Sequence, residues 1–283
     1  MKIFKPNFWD SKNNIISFFL LPISILLQIF LVLKTKVISK KKVSIPVICV
    51  GNIYLGGTGK TPLSLEIINI LRKFNKKAAI IKKHHDKHRD EFRLIESRGV
   101  ALFKSASRYK AIKEAIKNKF NCVVLDDGFH DSSITKNLNI LCFNEKQLVG
   151  NGMTLPSGPL RESFSSLKRC QLVVINGDSN LDFEKKIKNI SNDIKIYYSK
   201  YIPINIEIFK KKNLLAFAGI GNPKNFFDLL EENNLKVIKK VSFPDHHNFT
   251  LKELIKLIEI SVKNNLKIIT TEKDFFRIQH FQL

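Results

Sequence analysis

Residues 45–61 read IPVICVGNIYLGGTGKT, and their order decides the fold. The apolar run PVICV is too short for a helix and has the composition of a strand buried on both faces. A glycine-rich turn follows, and Pro62 helps to start a helix that runs from about Lys60 to Phe74. A strand that turns through glycines into a helix is the setting of a phosphate-binding loop. The glycines let backbone N–H groups point at phosphates, and the helix N-terminus adds its partial positive charge. In this reading Tyr54, Leu55, Gly56, Gly57, Thr58 and Gly59 wrap the phosphates of ATP. Lys60 reaches the β and γ phosphates, and the Thr61 hydroxyl serves Mg²⁺. Tyr54 stands where the usual G-x-x-x-x-G-K-[ST] spacing has its first glycine, and the triplet Gly56, Gly57, Gly59 compensates.

Downstream, short apolar runs alternate with helical stretches: KAAII at 77–81, a helix near 108–118, then NCVVLDD at 121–127, LNILCF at 138–143 and QLVVIN at 171–176. Strands separated by helices predict a parallel sheet with helices on both faces, a three-layer α/β fold of the P-loop NTPase type. NCVVLDD delivers Asp126 and Asp127 at the C-terminal end of a strand, where open parallel sheets bind ligands. Next to a phosphate loop the pair reads as the Walker B carboxylates, since Mg²⁺ prefers carboxylate oxygens and keeps several waters. The stretch 195–209, KIYYSKYIPINIEIF, alternates polar and apolar residues around Pro203, which suggests a two-stranded ribbon. A second α/β lobe begins beyond it with LLAFAGI and ends with LKIITTEKD at 266–274. The expected divisions are 1–42, 43–193, 194–212 for the ribbon and 213–283 for the smaller lobe.

Upstream, residues 15–33 read IISFFLLPISILLQIFLVL, uncharged and close to the length that crosses a bilayer. Pro22, Ser17, Ser24 and Gln28 fit a simple span poorly, so spanning and lying partly embedded in one leaflet both stand. Lys34, Lys36 and Lys40 to Lys42 follow directly, as expected beside anionic headgroups on the cytoplasmic side. A cleaved export signal is rejected, because no small-residue cleavage site follows and the next feature needs cytosolic ATP.

Composition sets the remaining bounds. A 283-residue chain that is 44% hydrophobic can bury a large core. Lys and Arg total 48 against 25 Asp and Glu, a net charge of +23, which suits anionic lipid or a phosphorylated substrate. The lysines are scattered, as a solvated surface also has them, and no motif or aromatic-basic interleaving points to nucleic acid. The four cysteines are far apart with no CxxC pair, so neither a zinc site nor a disulfide framework is expected.

Other segments are ordinary by themselves. Asp90 in HRDEF reads as a solvated helix-start aspartate. His246 and His247, in FPDHHNFT, precede Thr250, a helix N-cap by type. FAGIGNPKNFF lacks the third glycine of a dinucleotide fingerprint and reads as a tight strand-to-helix turn. NGMTLPSGPLRES at 151–163 reads as a structured loop.

Taken in order, GNIYLGGTGKTP, LDDGFHD, NGMTLPSGPLRES, FAGIGNP, FPDHHNFT and TTEKD resemble the tetraacyldisaccharide 4'-kinase family over nearly the whole chain. The apolar segment before the phosphate loop matches as well. The resemblance implies transfer of the ATP γ-phosphoryl group to the 4'-hydroxyl of an acylated glucosamine disaccharide 1-phosphate, giving lipid IVA at the cytoplasmic face of the bacterial inner membrane. It implies a P-loop lobe and a smaller Rossmann-like lobe joined by a β-ribbon, with the active site in the cleft between them. By resemblance Asp90 is the general base supported by His246, Asp126 and Asp127 serve Mg²⁺ and nucleotide, and Glu162 is the acidic metal-site residue of the GPLRE segment. Arg108 and His130 would meet the lipid headgroup.

Two departures stand out. KKHHDKH at 82–88 replaces the family's serine-arginine-glycine-tyrosine stretch, and His130 and Asp131 take the places of a Gln and a His. The chain ends soon after TTEKD, so the resemblance predicts a trimmed smaller lobe. The alternatives are a P-loop NTPase of the partitioning or metallochaperone type, which usually carries a second lysine where this chain has Leu55, and a basic membrane-docked nucleotide-binding protein.

Overall fold

A computed structural model describes residues 6–84 and 89–281. In chain order the elements are α1 (Ile15–Val37), β1 (Val47–Gly51), α2 (Lys60–Lys73), β2 (Ala78–Lys83), α3 (Arg89–Ser97), β3 (Leu102–Ser105), α4 (Arg108–Lys117), β4 (Cys122–Asp126) and β5 (Leu138–Asn144). They continue with β6 (Leu172–Asn176), α5 (Leu181–Lys188), β7 (Lys195–Ser199), β8 (Asn213–Ala218), α6 (Pro223–Glu232), β9 (Lys236–Ser242), α7 (Leu251–Lys263), β10 (Lys267–Thr270) and α8 (Glu272–Ile278). The chain divides into two compact units.

The larger unit, 6–84 and 98–200, is built on a parallel sheet whose described strands run β3-β2-β4-β1-β5-β6-β7. Its central strands are apolar without alternation, because both faces are covered: Val47, Cys49, Val123, Leu125, Leu141, Phe143 and Val173 enter one buried core, and Val50, Val124, Ile140 and Val174 are buried on the opposite face. Phe183 and Ile187 bring α5 into the same core. Register matters for function. Val50 in β1 lies opposite Asp126 in β4, which sets that carboxylate level with the entry to the glycine-rich loop.

Helix α1 belongs to this unit. Ser17, Ser24 and Gln28 are spaced by seven and four residues and so share one face. That face is tied to the 151–161 loop. Asn151 Nδ2 donates to Ser17 Oγ at 3.1 Å, the Ser157 amide donates to Ser24 Oγ at 3.0 Å, and Gln28 Nε2 donates to the Arg161 carbonyl at 3.2 Å. Ser24 Oγ itself donates to the Thr154 carbonyl at 3.0 Å. The other faces present Phe18, Phe19, Leu26, Phe30 and Leu33 outward. The helix is long and apolar enough to cross a membrane.

The smaller unit, 89–97 and 201–281, carries a parallel sheet of order β10-β8-β9. Alternate residues of β8 feed two cores: Leu214, Ala216 and Ala218 pack with Phe227 and Leu230, whereas Leu215 and Phe217 pack with Phe249, Leu254 and Leu257. Thr250 caps α7 in a reciprocal capping box with Glu253. Gly219 to Asn222 form the tight turn between β8 and α6, with Pro223 at the helix start.

Two segments differ from the sequence reading. No two-stranded ribbon occupies the described residues 194–212: Lys195–Ser199 is β7, paired in parallel with β6 at the sheet edge. Its alternation reflects one face on the core and one in solvent. Pro203, and Asn205 at φ 58°, break the second half. Helix α3 falls within the expected 43–193 division, yet it packs on α8 within the smaller unit, where Arg93 donates to the Phe276 carbonyl and Lys273 pairs with Glu91.

Candidate active site

The phosphate loop is held from both ends. Asn52 Nδ2 donates to the Tyr54 and Gly56 carbonyls, the Leu55 amide donates to the Pro159 carbonyl at 2.8 Å, and the Arg161 amide donates to that of Ile53 at 2.7 Å. Tyr54 is tolerated in the first glycine's place because its backbone needs no left-handed conformation and its ring is buried in the core. The turn falls on the glycines that follow, Gly56 at φ 134° and Gly59 at φ 90°, which hands the chain into α2.

Two carboxylates meet this loop, each with its own partners. Thr61 Oγ1 donates to Asp126 Oδ2 at 2.9 Å, and Lys82 Nζ reaches the same oxygen at 2.5 Å. Asp126 is fully buried, and its Oδ1 has no hydrogen-bond partner among the described residues. Asp127 sits at φ 57°, a conformation that aspartate adopts more readily than most residues. Arg161 Nη1 donates to both its oxygens at 3.1 Å, and Lys60 Nζ lies 3.8 Å away. Burial alone would raise the Asp127 carboxyl, but the charges of Lys60 and Arg161 outweigh it and hold the group well below the usual range.

The Asp-Asp-Gly-Phe turn is fixed by basic side chains. Lys136 Nζ donates to the Gly128 and Phe129 carbonyls at 2.6 and 2.9 Å. Arg108 donates to the Asp127 carbonyl at 2.7 Å and to Asp131 at 3.1 Å. Gly51 must be glycine here, since a Cβ would stand 2.4 Å from that of Phe129. His130 Nδ1 lies 2.6 Å from Glu162 Oε1, while Arg169 holds the other oxygen, and His130 Nε2 is buried without a hydrogen-bond partner among the described residues. Burial opposes ionisation of Glu162, but His130 and Arg169 prevail and lower its carboxyl.

The smaller unit brings Asp90 and His246 together. Asp90 is buried, which corrects the solvated reading, and its Oδ2 accepts from Arg277 Nε at 3.1 Å and from Nη2. His246 Nδ1 lies 3.5 Å from the same oxygen. Arg277 is itself fixed by the Gly219 carbonyl at 2.6 Å and by Asp274 at 2.7 Å. Burial pushes the Asp90 carboxyl up, but His246 and Arg277 more than offset it and lower the pKa to about 2. Its Oδ1 is buried with no hydrogen-bond partner among the described residues. His247 does other work, bonding Glu253 at 3.0 Å and stacking on Phe243.

Lys60, Thr61, Asp126 and Asp127 thus converge, as do Asp90 with His246, Arg108 with the Asp127 turn, and His130 with Glu162. No group of three acidic, His or Cys ligands forms among the described residues, so Glu162 does not join both aspartates as one metal cluster. Mg²⁺ nevertheless fits the donor set, since one or two carboxylates and a hydroxyl beside phosphates suffice. Buried Asp126 Oδ1 and the Thr61 hydroxyl would supply them. Sequence reasoning missed Lys82, Arg161 and Arg277 as site residues. The only local signal for Arg277 is its i,i+3 spacing from Asp274.

The sequence matches the model of the LpxK family, tetraacyldisaccharide-1-P 4'-kinase, over residues 16–283. The chain belongs to this family. A tetraacyldisaccharide 4'-kinase of Pelagibacter ubique is 45% identical over 287 residues, covering 99% of this chain and 90% of that protein. The corresponding kinase of Rickettsia typhi is 30% identical over 99% of this chain and 91% of its own. In fold, the chain resembles the crystal structure of LpxK from Aquifex aeolicus in complex with ATP, at a TM-score of 0.69 and 23% identity over 94% of this chain and 91% of that one. This chain is therefore an ATP-dependent kinase of lipid A synthesis with a P-loop α/β fold. The partitioning and metallochaperone readings are not favoured.

Proposed function

We propose that this kinase transfers the γ-phosphoryl group of ATP to the 4'-hydroxyl of a tetraacyldisaccharide 1-phosphate, using the phosphate loop for the donor and Asp90 for the acceptor. The observation that carries the reading is the Lys60, Thr61 and Asp126 constellation at the strand end, with Gly56 and Gly59 turning the loop. Lys60 meets the β and γ phosphates, and Asp127, locked by Arg161, steadies its ammonium. Thr61 and Asp126 would hold Mg²⁺, with the Asp127 carboxylate beside them. When bound, the ion neutralises phosphate charge.

On the acceptor side Asp90, ionised at any physiological pH, takes the proton of the sugar hydroxyl on its free Oδ1 while His246 and Arg277 hold Oδ2. Arg108 and His130 contact the phosphorylated headgroup. The outward apolar faces of α1 enter the inner leaflet of the inner membrane, with Lys34, Lys36 and Lys40 to Lys42 against anionic headgroups on the cytoplasmic side. The hydrogen-bonded face spans about three helical turns and keeps the 151–161 loop at the depth of α1. That favours a helix lying in one leaflet over a span, since a polar loop is not stable in hydrocarbon.

The test is incubation of purified protein with γ-labelled ATP and an acylated disaccharide 1-phosphate in mixed micelles. Labelled lipid is the expected product. ATP turnover without labelled lipid would overturn the acceptor assignment.

A further inference from the structure

Lys82 is the least expected group in the nucleotide site. It is the fifth residue of β2, and β2 pairs with β4 so that Ile81 stands opposite Leu125. The next residue on each strand is Lys82 and Asp126, on the same side of the pleat. Only 5% of Lys82 is exposed, and lysine is almost never buried so deeply without a charged partner. Its ammonium sits on Asp126 Oδ2, the oxygen that also accepts from Thr61.

The charge of the Walker B carboxylate is thus matched from within the fold before nucleotide arrives. Lys82 opens the stretch where this chain departs from the family pattern, KKHHDKH. A fixed ammonium beside the Thr61 hydroxyl has two electrostatic consequences at short range. It adds positive charge for the phosphates of ATP, and it weakens the pull of Asp126 on a divalent cation.

We infer that Lys82 is a resident cation of the nucleotide site, a positioning residue that holds Asp126 against Thr61 and supports binding of metal-free ATP. The inference rests on ATP binding at the phosphate loop. It does not make Lys82 a catalytic residue, since nothing places it on the reacting atoms.

The experiment measures ATP affinity by calorimetry in EDTA and in Mg²⁺ for the full chain and for Lys82→Met and Lys82→Arg. Lys82→Met is expected to lose about tenfold or more in EDTA and less than about threefold in Mg²⁺. It should also reach half-saturation at lower Mg²⁺ concentration, and Lys82→Arg should keep the wild-type ratio. An equal loss in both media would mean a merely structural role and would overturn the inference, as would no loss in either. Absence of ATP binding by the wild type in both media would instead sink the phosphate-loop reading itself. Should Lys82→Met fail to fold, the double variant with Asp126→Asn decides. Removal of both charges is expected to restore folding that Lys82→Met alone abolishes, and a double variant that also fails to fold would overturn the pair.

Discussion

Replacing Arg277 by Met isolates what holds the Asp90 carboxylate. The pKa of Asp90 falls from an ordinary 3.8 to about 2 in the folded protein, the combined work of His246 and Arg277 against burial. Holding the carboxyl at about 2 corresponds to about 2–3 kcal/mol. Because the folded value is depressed, that stabilisation is present above the ordinary carboxylate range and is lost as pH falls through about 2. Without Arg277 the carboxylate is left buried with His246 nearby, and removing one partner of a buried pair costs about 3–5 kcal/mol. We expect urea unfolding, followed by circular dichroism, to show a loss of about 3 kcal/mol for Arg277→Met at pH 7. The gap to wild type should close as pH falls from about 5 toward 2, since protonating Asp90 relieves the variant first. Arg277 also donates to Asp274, whose carboxyl burial raises, so the double variant with Asp90→Asn is needed to separate the shares. It should recover most of the loss at pH 7. A deficit of the same size at pH 3.5 and pH 7 would refute the reasoning, because it would reflect lost packing of the guanidinium and not lost charge.

Lys60→Ala should cut labelled-lipid formation by about 10²–10³-fold or more, measured as initial rate with saturating acceptor, because the phosphates lose their point charge. Asp90→Ala should lower kcat by about 10²–10⁴-fold while the calorimetric Kd for ATP stays within about threefold. Unchanged turnover would remove Asp90 from the mechanism. Ser24→Val leaves the Ser157 amide and hydroxyl and the Thr154 carbonyl without the shared hydroxyl. It should lower stability by about 1–3 kcal/mol in detergent, read as a shift in the thermal midpoint. Gly59→Ala forces a side chain to φ 90° at the start of α2 and should cost about 1–3 kcal/mol together with ATP affinity, seen by calorimetry.

Much of the architecture was legible because it is written in local pattern. The doubly buried strands carry apolar runs such as CVVLD and VICVG, and the glycines at 56 and 59 mark the turn that only a residue free of Cβ takes easily. Thr250 with Glu253 three residues on announces the start of α7. The pattern at 195–199 suggests a ribbon for an equally local reason: an edge strand of a parallel sheet, with one face on the core and one in solvent, alternates as a hairpin strand does. Pairing partner and direction are set by residues far away, here β6.

The site divides along the same line. Lys60, Thr61, Asp126 and Asp127 could be read because their chemistry is packed into two short motifs at strand ends. The groups that set the charge state of those carboxylates could not. Lys82 looks like one lysine among many and is 44 residues from its partner, Arg161 is 34 from Asp127, and Arg277 is 187 from Asp90. Each becomes specific only through burial, which removes the water that would otherwise screen it and turns an unremarkable base into the counter-charge of one carboxylate oxygen. Asp90 shows the consequence most clearly. Its neighbours in sequence describe a solvated helix start, whereas Arg277 and His246 hold one oxygen and leave the other buried and, among the described residues, unpaired. An ionised carboxylate with one oxygen held and the other open is oriented before any hydroxyl arrives, so geometry, more than basicity, is what this residue contributes to proton acceptance.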